Sequence, residues 1–341
     1  MDHPKKQPTM MDVAQLAGVS TMTVSRALKP NTSVGEKTRQ KIQEAAEQLG
    51  YVLNSNAANF ASHKTGFVAV TIPSINNANF AETLTGLSDG LNDTGLQILL
   101  GYTNYSKEEE ERLIEQFLQR RPEAIVVTGG SHTDRCRRLL KNSGVPVIEM
   151  WDQPKYPIDE SIGFSNADAA ALMVDHFVEQ GHSRIGFIGG DASRDTRGLD
   201  RRRGFVARLN ELGLESHRLV SAGSPPVTVR EGMNSLIKLL DNWPDTQAVM
   251  CVSDLSAFGA ISHCTREGIK VPEELAIAGF GAYDISEVAV PTITTVDVSA
   301  QAIGLAVARQ VSNRLSEHGG QPMKFNGPMI IARESTLGKT T

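Results

Sequence analysis

From Gly66 onward the chain alternates short β-type apolar runs with longer amphipathic segments, and this alternation limits the fold more than any other feature. "GFVAVTIP", "QILLGYT", "AIVVTGG", "VPVIEM", "RIGFIGG", "AVMCVSD" and "LAIAGFG" are near-continuous apolar runs. Strands covered on both faces by helices need such runs, and parallel sheets are where they occur. One set lies between Gly66 and Phe164 and a second between Ser165 and about Thr294, with "PTITTVDV" and the helix after it as an extra return segment. The expectation is two similar α/β lobes with a cleft between them.

The first 65 residues follow another pattern. Thr9 with Asp12 predicts a capped helix whose stripe Val13, Leu16 and Ala17 stops at Gly18. Ser20 caps a second, short helix in which Val24, Ala27 and Leu28 face inward while Thr21, Met22, Ser25 and Arg26 share the opposite face. Ser33-x-x-Glu36 predicts a capping box opening a third helix, striped at Val34, Thr38, Ile42, Ala45 and Leu49 and ended by Gly50. A helix, a glycine turn and a second helix with a polar outer face make a helix-turn-helix, able to enter a DNA major groove. Charge agrees: residues 1–65 hold eight Lys/Arg against five Asp/Glu, a net of +3 on a chain that carries −5 overall. A basic head on an acidic body predicts that the head alone meets a polyanion.

Composition excludes other classes. A chain of 341 residues with 40% hydrophobic and 5% aromatic content can bury a full core. No apolar run approaches the roughly 18–20 residues that span a bilayer, and "MDHPKKQPTM" has no apolar segment behind its lysines, so a cytoplasmic protein without a membrane partner is expected. Cys136, Cys251 and Cys264 are widely spaced and read as buried small residues. "GFIGGDASRDTRG" lacks the spacing of a phosphate-cradling loop, and no G-x-S-x-G elbow occurs. His132, His182 and His263 are far apart, without Cys or carboxylate partners at ligand spacing, so no metal or cofactor is expected. "KEEEERLIEQ" reads as the solvated face of a helix.

"DVAQLAGVSTMTVSRAL" with "VGEKTRQKIQEAAEQLGYVLN" strongly resembles the headpiece of the lactose-repressor (LacI/GalR) family of bacterial transcription regulators. The resemblance continues through "GHSRIGFIGG", "RRRGF", "VSDLSAFGA", "VPEELAIAGFG" and "PTITTVDV", nearly the whole chain. It implies a helix-turn-helix headpiece over 1–50, a linker with a hinge helix over 51–65, and a two-lobed core like that of periplasmic binding proteins. The core N-subdomain would take 66–164 with about 295–324, and the C-subdomain 165–294 with about 325–336. Carried onto this chain, base reading falls to Thr21, Met22 and Arg26, with Ser20 and Thr23 on phosphates. Arg26 suits a bidentate contact to guanine, although Met22 is equally readable as a packing residue. "NSNAANFAS", with Asn54, matches the hinge helix; Phe60 stands where the family usually has Leu, another apolar wedge for a minor-groove step.

In the cleft, family ligand contacts carry onto Arg201, Ser253 and Gly281. Members that bind neutral sugars generally have Asp where this chain has Gly281, and its absence makes an anionic ligand tolerable. Arg197 adds a second guanidinium four residues before Arg201, on the same face if the helix has begun there. Two guanidiniums can grip a carboxylate, although pairing with Asp195 or Asp200 is the alternative. The pattern looks like the gluconate-repressor branch, which shares "IEM" with Glu149, the His132–Thr133 pair, and basic residues at Arg197 and Arg201. Glu149 and Trp151 would alternate onto the cleft, the carboxylate taking hydroxyls and the indole covering a sugar face. The expectation is a homodimeric repressor that binds operator DNA and is released by a sugar acid such as gluconate or 2-ketogluconate. Rivals are a family member that uses a sugar or purine as corepressor, a sugar-acid enzyme, for which no catalytic set is found, and a periplasmic solute-binding protein, which would need a signal peptide and have no headpiece.

Overall fold

The structure, a computed structural model, describes residues 7–28, 33–52, 65–190, 194–316 and 326–337. The chain divides into two compact units, residues 1–65 and 66–341. Among the described residues no helix is long and apolar enough to cross a membrane.

The first unit holds α1 (Met10–Ala17), α2 (Thr21–Ala27) and α3 (Glu36–Leu49). Thr9 and Asp12 form a reciprocal capping box on α1, with the Thr9 N–H donating to Asp12 at 2.7 Å. Gly18 ends the helix at φ +65°, a left-handed turn that returns the Val19 N–H to the Ala14 carbonyl. Ser20 caps α2 by accepting from the Thr23 N–H at 3.2 Å. The box expected at Ser33 and Glu36 does not form: Gly35 is the N-cap of α3 and no side chain caps it. Val13, Ala14, Val24, Ala27, Ile42 and Ala45 close the small core. Burying a side chain such as Val or Ile contributes about 1.5–3 kcal/mol, so few positions in so small a core are expendable. Arg39 donates to the Ala27 carbonyl at 2.5 Å, which satisfies the open end of α2 from α3.

The second unit contains two parallel sheets. The first runs β2 (Gln97–Tyr102), β1 (Phe67–Ile72), β3 (Ala124–Thr128), β4 (Val147–Met150) and β5 (Glu160–Ile162). The second runs β7 (Leu219–Ser221), β6 (Ile185–Gly189), β8 (Ala248–Cys251) and β9 (Ala276–Ala278). Period-two burial explains the apolar runs. Val68, Val70 and Ile72 of β1 join the main core, whereas Ala69 joins a second core on the opposite face. The edge strand β2 is the exception, with Leu100 40% exposed.

The helices of this unit are α4 (Ala78–Leu91), α5 (Lys107–Gln119), α6 (Asp134–Lys141), α7 (Asn166–Glu179), α8 (Thr196–Glu211), α9 (Val229–Asn242), α10 (Asp254–Glu267), α11 (Ile285–Val288), α12 (Ala300–Leu315) and α13 (Glu334–Leu337). Helix α12 packs on α4 so closely that a Cβ at Gly86 would stand 2.2 Å from the Gln301 carbonyl, which brings the return segment to the first sheet. Before α12, β10 (Thr295–Asp297) pairs antiparallel with β11 (Met329–Ile331). Strand order reverses beside β1 in one sheet and beside β6 in the other, and open α/β sheets take ligands outside the carboxyl ends of strands at such reversals.

Candidate functional site

Segments after the carboxyl ends of β1, β2, β4, β6, β7, β8 and β9 line one cleft of about 640 Å³. Its cationic centre lies on α8. Asp195 caps this helix by accepting from the Gly198 N–H at 3.0 Å, so the first turn begins at Thr196 and presents Arg197 one turn before Arg201. Arg201 donates from Nε to Asn166 Oδ1 at 3.0 Å and from Nη1 to the Val252 carbonyl at 2.8 Å, and it stacks 3.9 Å from the centre of the Phe280 ring. These bonds fix the guanidinium and leave other donors of its five free for a ligand. Burial lowers its pKa, Asp195 opposing, yet an arginine stays charged.

Arg197 is buried, 5.6 Å from the centre of the Phe80 ring. A Cβ at Gly129 would meet its Nη1 at 3.0 Å, so this guanidinium, carried by the second lobe, seats against backbone of the first. Among the described residues neither arginine is in a salt bridge: the alternative at Asp200 is filled by Arg203, at 3.1 Å. Asp195 is the acid in the cleft lining, and one of its oxygens is committed to the helix cap.

The uncharged lining supplies aromatic faces and polar groups. Trp151 lines the cleft edge-on to Phe80, with ring centres 5.4 Å apart, and its indole N–H donates to Thr83 at 3.1 Å. Tyr105 and Tyr283 contribute phenols within hydrogen-bonding reach of the Asn77 side chain; burial pushes Tyr105 up to about 12 and raises Tyr283 as well, so both are neutral donors at working pH. Asn79 carries a buried side-chain oxygen without a partner, available to a ligand hydroxyl.

The expected residues thus divide. Arg197, Arg201, Trp151 and Ser253 line the cleft together. Gly281 stands directly behind that lining: its φ is +120°, and a Cβ there would lie 2.5 Å from the Tyr283 ring and 2.6 Å from Asn79 Nδ2. Backbone geometry, not only charge, therefore demands glycine.

Glu149 and His132 do not reach the cleft. Trp151 has φ +71°, a left-handed turn immediately after β4 that breaks the strand alternation. The indole joins Ile148 and Met150 in the main core, and Glu149 is left on the opposite face of the sheet with Val147. There Glu149 accepts from the Ile158 N–H at 2.5 Å and meets His132 Nε2 at 3.2 Å. His132 Nδ1 meets Glu110 at 2.7 Å, so the imidazole is clamped between carboxylates. Burial alone would lower its pKa; hydrogen bonds to Cys136, Glu110 and Glu149 outweigh that and push it up to about 11. The histidine therefore has the carboxylate and thiol neighbours that its sequence spacing did not disclose, and donor atoms of Glu110, His132 and Cys136 lie within 4.8 Å of one another. Nor is "KEEEERLIEQ" wholly solvated, because Glu110 shares the buried face of α5 with Ile114 and Phe117.

Sequence reasoning missed Tyr105, Tyr283, Asn77 and Asn79. The polar cluster "NNAN" directly after an apolar run was the available signal for the asparagines. On the first unit, Thr21, Met22 and Arg26 are exposed along α2, with Met22 65% exposed rather than packed, while Ser20 and Thr23 share a hydroxyl contact of 2.9 Å at its start. Asn54 and Phe60, expected in the hinge, lie outside the described residues.

A family model for bacterial regulatory proteins of the lacI family matches residues 9–54, and one for a periplasmic binding protein-like domain matches residues 174–336. The chain is 35% identical over 334 residues to the HTH-type transcriptional regulator GntR of Pseudomonas aeruginosa, a match that covers 97% of this chain and 96% of that protein. A LacI-family transcriptional regulator from Silicibacter pomeroyi superposes with a TM-score of 0.91 at 31% identity, over 97% of this chain and all of that one. The lac repressor dimer bound to operator shares the fold, with a TM-score of 0.82 at 21% identity over 97% of this chain and 100% of its own.

Proposed function

Because this chain belongs to the LacI family of DNA-binding transcriptional regulators, which are not enzymes, we propose that it is a homodimeric repressor of sugar-acid catabolism, released from its operator when gluconate, 2-ketogluconate or a similar acid fills the cleft. The observation that carries this reading is the pair Arg197 and Arg201, one helical turn apart in a cleft and without a salt bridge among the described residues. A carboxylate satisfies them through charge-assisted hydrogen bonds, while Asn79, Asn77 and the two phenols suit hydroxyls and the aromatic faces suit carbons.

Closure follows from where these groups sit. Arg197 and Arg201 are carried by the second lobe and Asn77, Asn79 and Tyr105 by the first, so an acid whose carboxylate takes the arginines and whose hydroxyls take the first-lobe groups favours the closed arrangement of the lobes. If closure disfavours the DNA-engaged pairing of the segment around 54–62, ligand and operator oppose each other reciprocally. Moving the population from 1:99 to 99:1 needs about 5.5 kcal/mol of differential affinity. In the headpiece, Thr21, Met22 and Arg26 read the major groove with Ser20 and Thr23 on phosphates, and Phe60 wedges the minor groove. The lac repressor dimer on its operator supports a two-fold dimer that reads a near-palindrome.

Calorimetry of the purified protein with hexonates and matched neutral sugars, beside operator-binding titrations with the same compounds, tests the reading. The acids should bind and release operator, and the neutral sugars should do neither. Equal binding of both classes would end the sugar-acid assignment, and operator binding that tightens with the acid would make it a corepressor.

A further inference from the structure

Outside the cleft lining, the first lobe brings metal-ligating atoms of three kinds together. A ring nitrogen of His132, a carboxylate oxygen of Glu110 and the thiol sulfur of Cys136 lie within 4.8 Å of one another. We propose that Glu110, His132 and Cys136 form a structural zinc site, in which one Zn(II) ion ties α5 to α6 and stabilises the first lobe. The proposal is independent of what the cleft binds.

The local sequence builds the donor set. Thr133 caps α6 by accepting from the Cys136 N–H at 3.0 Å, so His132 stands just before the cap and Cys136 in the first turn. A spacing of four residues thus puts ring and thiol at one end of α6, where Glu110 meets them from the first turn of α5. Glu110 Oε2 lies 2.7 Å from His132 Nδ1 and 3.9 Å from Cys136 Sγ. Zinc takes sulfur at about 2.3 Å and nitrogen or oxygen at about 2.0–2.2 Å, which sets the edges of its tetrahedron at about 3.3–3.6 Å. Opening the shorter distance and closing the longer by about 0.5 Å each, within reach of side-chain rotation, admits the ion.

The far side of the ring is prepared as well. His132 Nε2 meets Glu149 at 3.2 Å, and Glu149 is itself held by the Ile158 N–H at 2.5 Å. A carboxylate behind a ligating histidine fixes the ring and its tautomer, here with the proton on Nε2 and Nδ1 turned to the metal. Thr71 of β1 alternates with Val70 and Ile72 onto the same sheet face as Ala69, and its buried hydroxyl has no hydrogen-bond partner. A water on a bound ion is the kind of group that satisfies such an atom. Glu110 also lines a hollow of about 350 Å³, which gives an ion a route to its carboxylate and leaves room for a water in the fourth position. Charge balances: coordination releases the Nδ1 proton and the thiol proton, and the two charges of Zn(II) replace them. Mixed nitrogen, oxygen and sulfur donors select zinc over the hard cations, which take oxygen.

The test uses the full-length protein, stripped by a chelator and titrated with zinc and, separately, with cobalt(II). The parent should bind one zinc ion per chain at this site, and zinc should raise its urea unfolding midpoint. Cobalt should give a thiolate-to-metal charge-transfer band, a readout that needs no variant. Cys136→Ala should lose that band, bind zinc weaker by about tenfold or more, and gain less in midpoint. Glu149→Gln should keep the band and weaken zinc by about 10–100-fold, as a positioning residue does. Cobalt bound without a thiolate band, or zinc affinity that Cys136→Ala leaves unchanged, would put the metal elsewhere and overturn the site. No saturable zinc binding by the parent would overturn it too, and a midpoint that bound zinc leaves unchanged would overturn the stabilising role.

Discussion

Two buried cationic centres of the core, the His132 cluster and the Arg197–Arg201 pair, are partnered in opposite ways. His132 is enclosed by Glu110, Glu149 and Cys136, so its charge is answered by the protein itself. Arg197 and Arg201 have aromatic rings, a carbonyl and an amide for neighbours, with no salt bridge among the described residues. Withdrawing a charge from water costs several kcal/mol unless geometry restores what hydration supplied. The clamped histidine recovers that cost on folding, whereas the arginines recover it when an anion arrives. A buried cation is thus a guide to function when its anion is missing, and to stability when its anion is present.

The largest expected effect comes from breaking the clamped centre. His132→Gln leaves two carboxylates inside the fold without an imidazolium and should cost about 3–5 kcal/mol of unfolding free energy in urea titrations. Sugar-acid affinity of the folded fraction should stay within twofold. A variant as stable as the parent would show that charge does not hold this cluster. Breaking the open centre should do the reverse: Arg201→Ala is expected to lose about 2–4 kcal/mol of sugar-acid affinity by calorimetry while operator affinity is retained. Unchanged acid affinity would remove Arg201 from the clamp.

Adding a carboxylate to the open centre sharpens the contrast. Gly281→Asp puts a negative charge one residue behind Phe280 and should weaken acids relative to neutral sugars by about 2 kcal/mol, the repulsion of like charges about 8 Å apart at an effective dielectric near 20. Because φ is +120° at this position, any side chain strains the turn against Tyr283 and Asn79. Gly281→Ala separates the terms: it should weaken both ligand classes alike. Equal losses for both ligand classes in Gly281→Asp too would mean that strain alone excludes a side chain.

The two centres were unequally legible. Arg197 and Arg201 share a face because they are four residues apart on one helix, and the exposed run Thr21, Met22 and Arg26 on α2 follows from the same local periodicity. The parallel strands were readable because burial on both faces demands apolar runs, except at β5 and β7, short strands that are only partly buried. Glu149 was assigned to the cleft on strand alternation, and one left-handed residue, Trp151, defeats that rule. Glu110 was hidden among neighbouring glutamates, although its spacing to Ile114 and Phe117 marks the inward face of α5. Tyr105, Tyr283, Asn77 and Asn79 come together from turns after different strands, and only the closed topology sets them around one space.

The smallest expected effect is a slope with pH that belongs to the clamped centre alone. In the folded chain the His132 pKa is raised to about 11, while an unfolded histidine titrates near 6.5. Between these values the folded state holds one proton that the unfolded state lacks, so stability is full below about pH 6.5 and is lost as pH rises toward 11, by up to about 1.4 kcal/mol per unit. Other groups act outside the useful window. Burial lowers the pKa of His176 and His182, which adds stability as pH rises through about 6.5 and then levels off. Burial raises Cys136, Cys251 and Cys264, whose unfolded thiols ionise near 8.5, and Tyr105, whose unfolded phenol ionises near 10; each removes stability only above its own unfolded value. From about pH 7 to 7.5, where the unfolded thiols are still almost wholly protonated, the decline should therefore come mainly from His132, be present in the parent and in Arg201→Ala, and be largely lost in His132→Gln. Urea midpoints measured across that interval decide it, and a parental slope that survives in His132→Gln would assign the proton elsewhere.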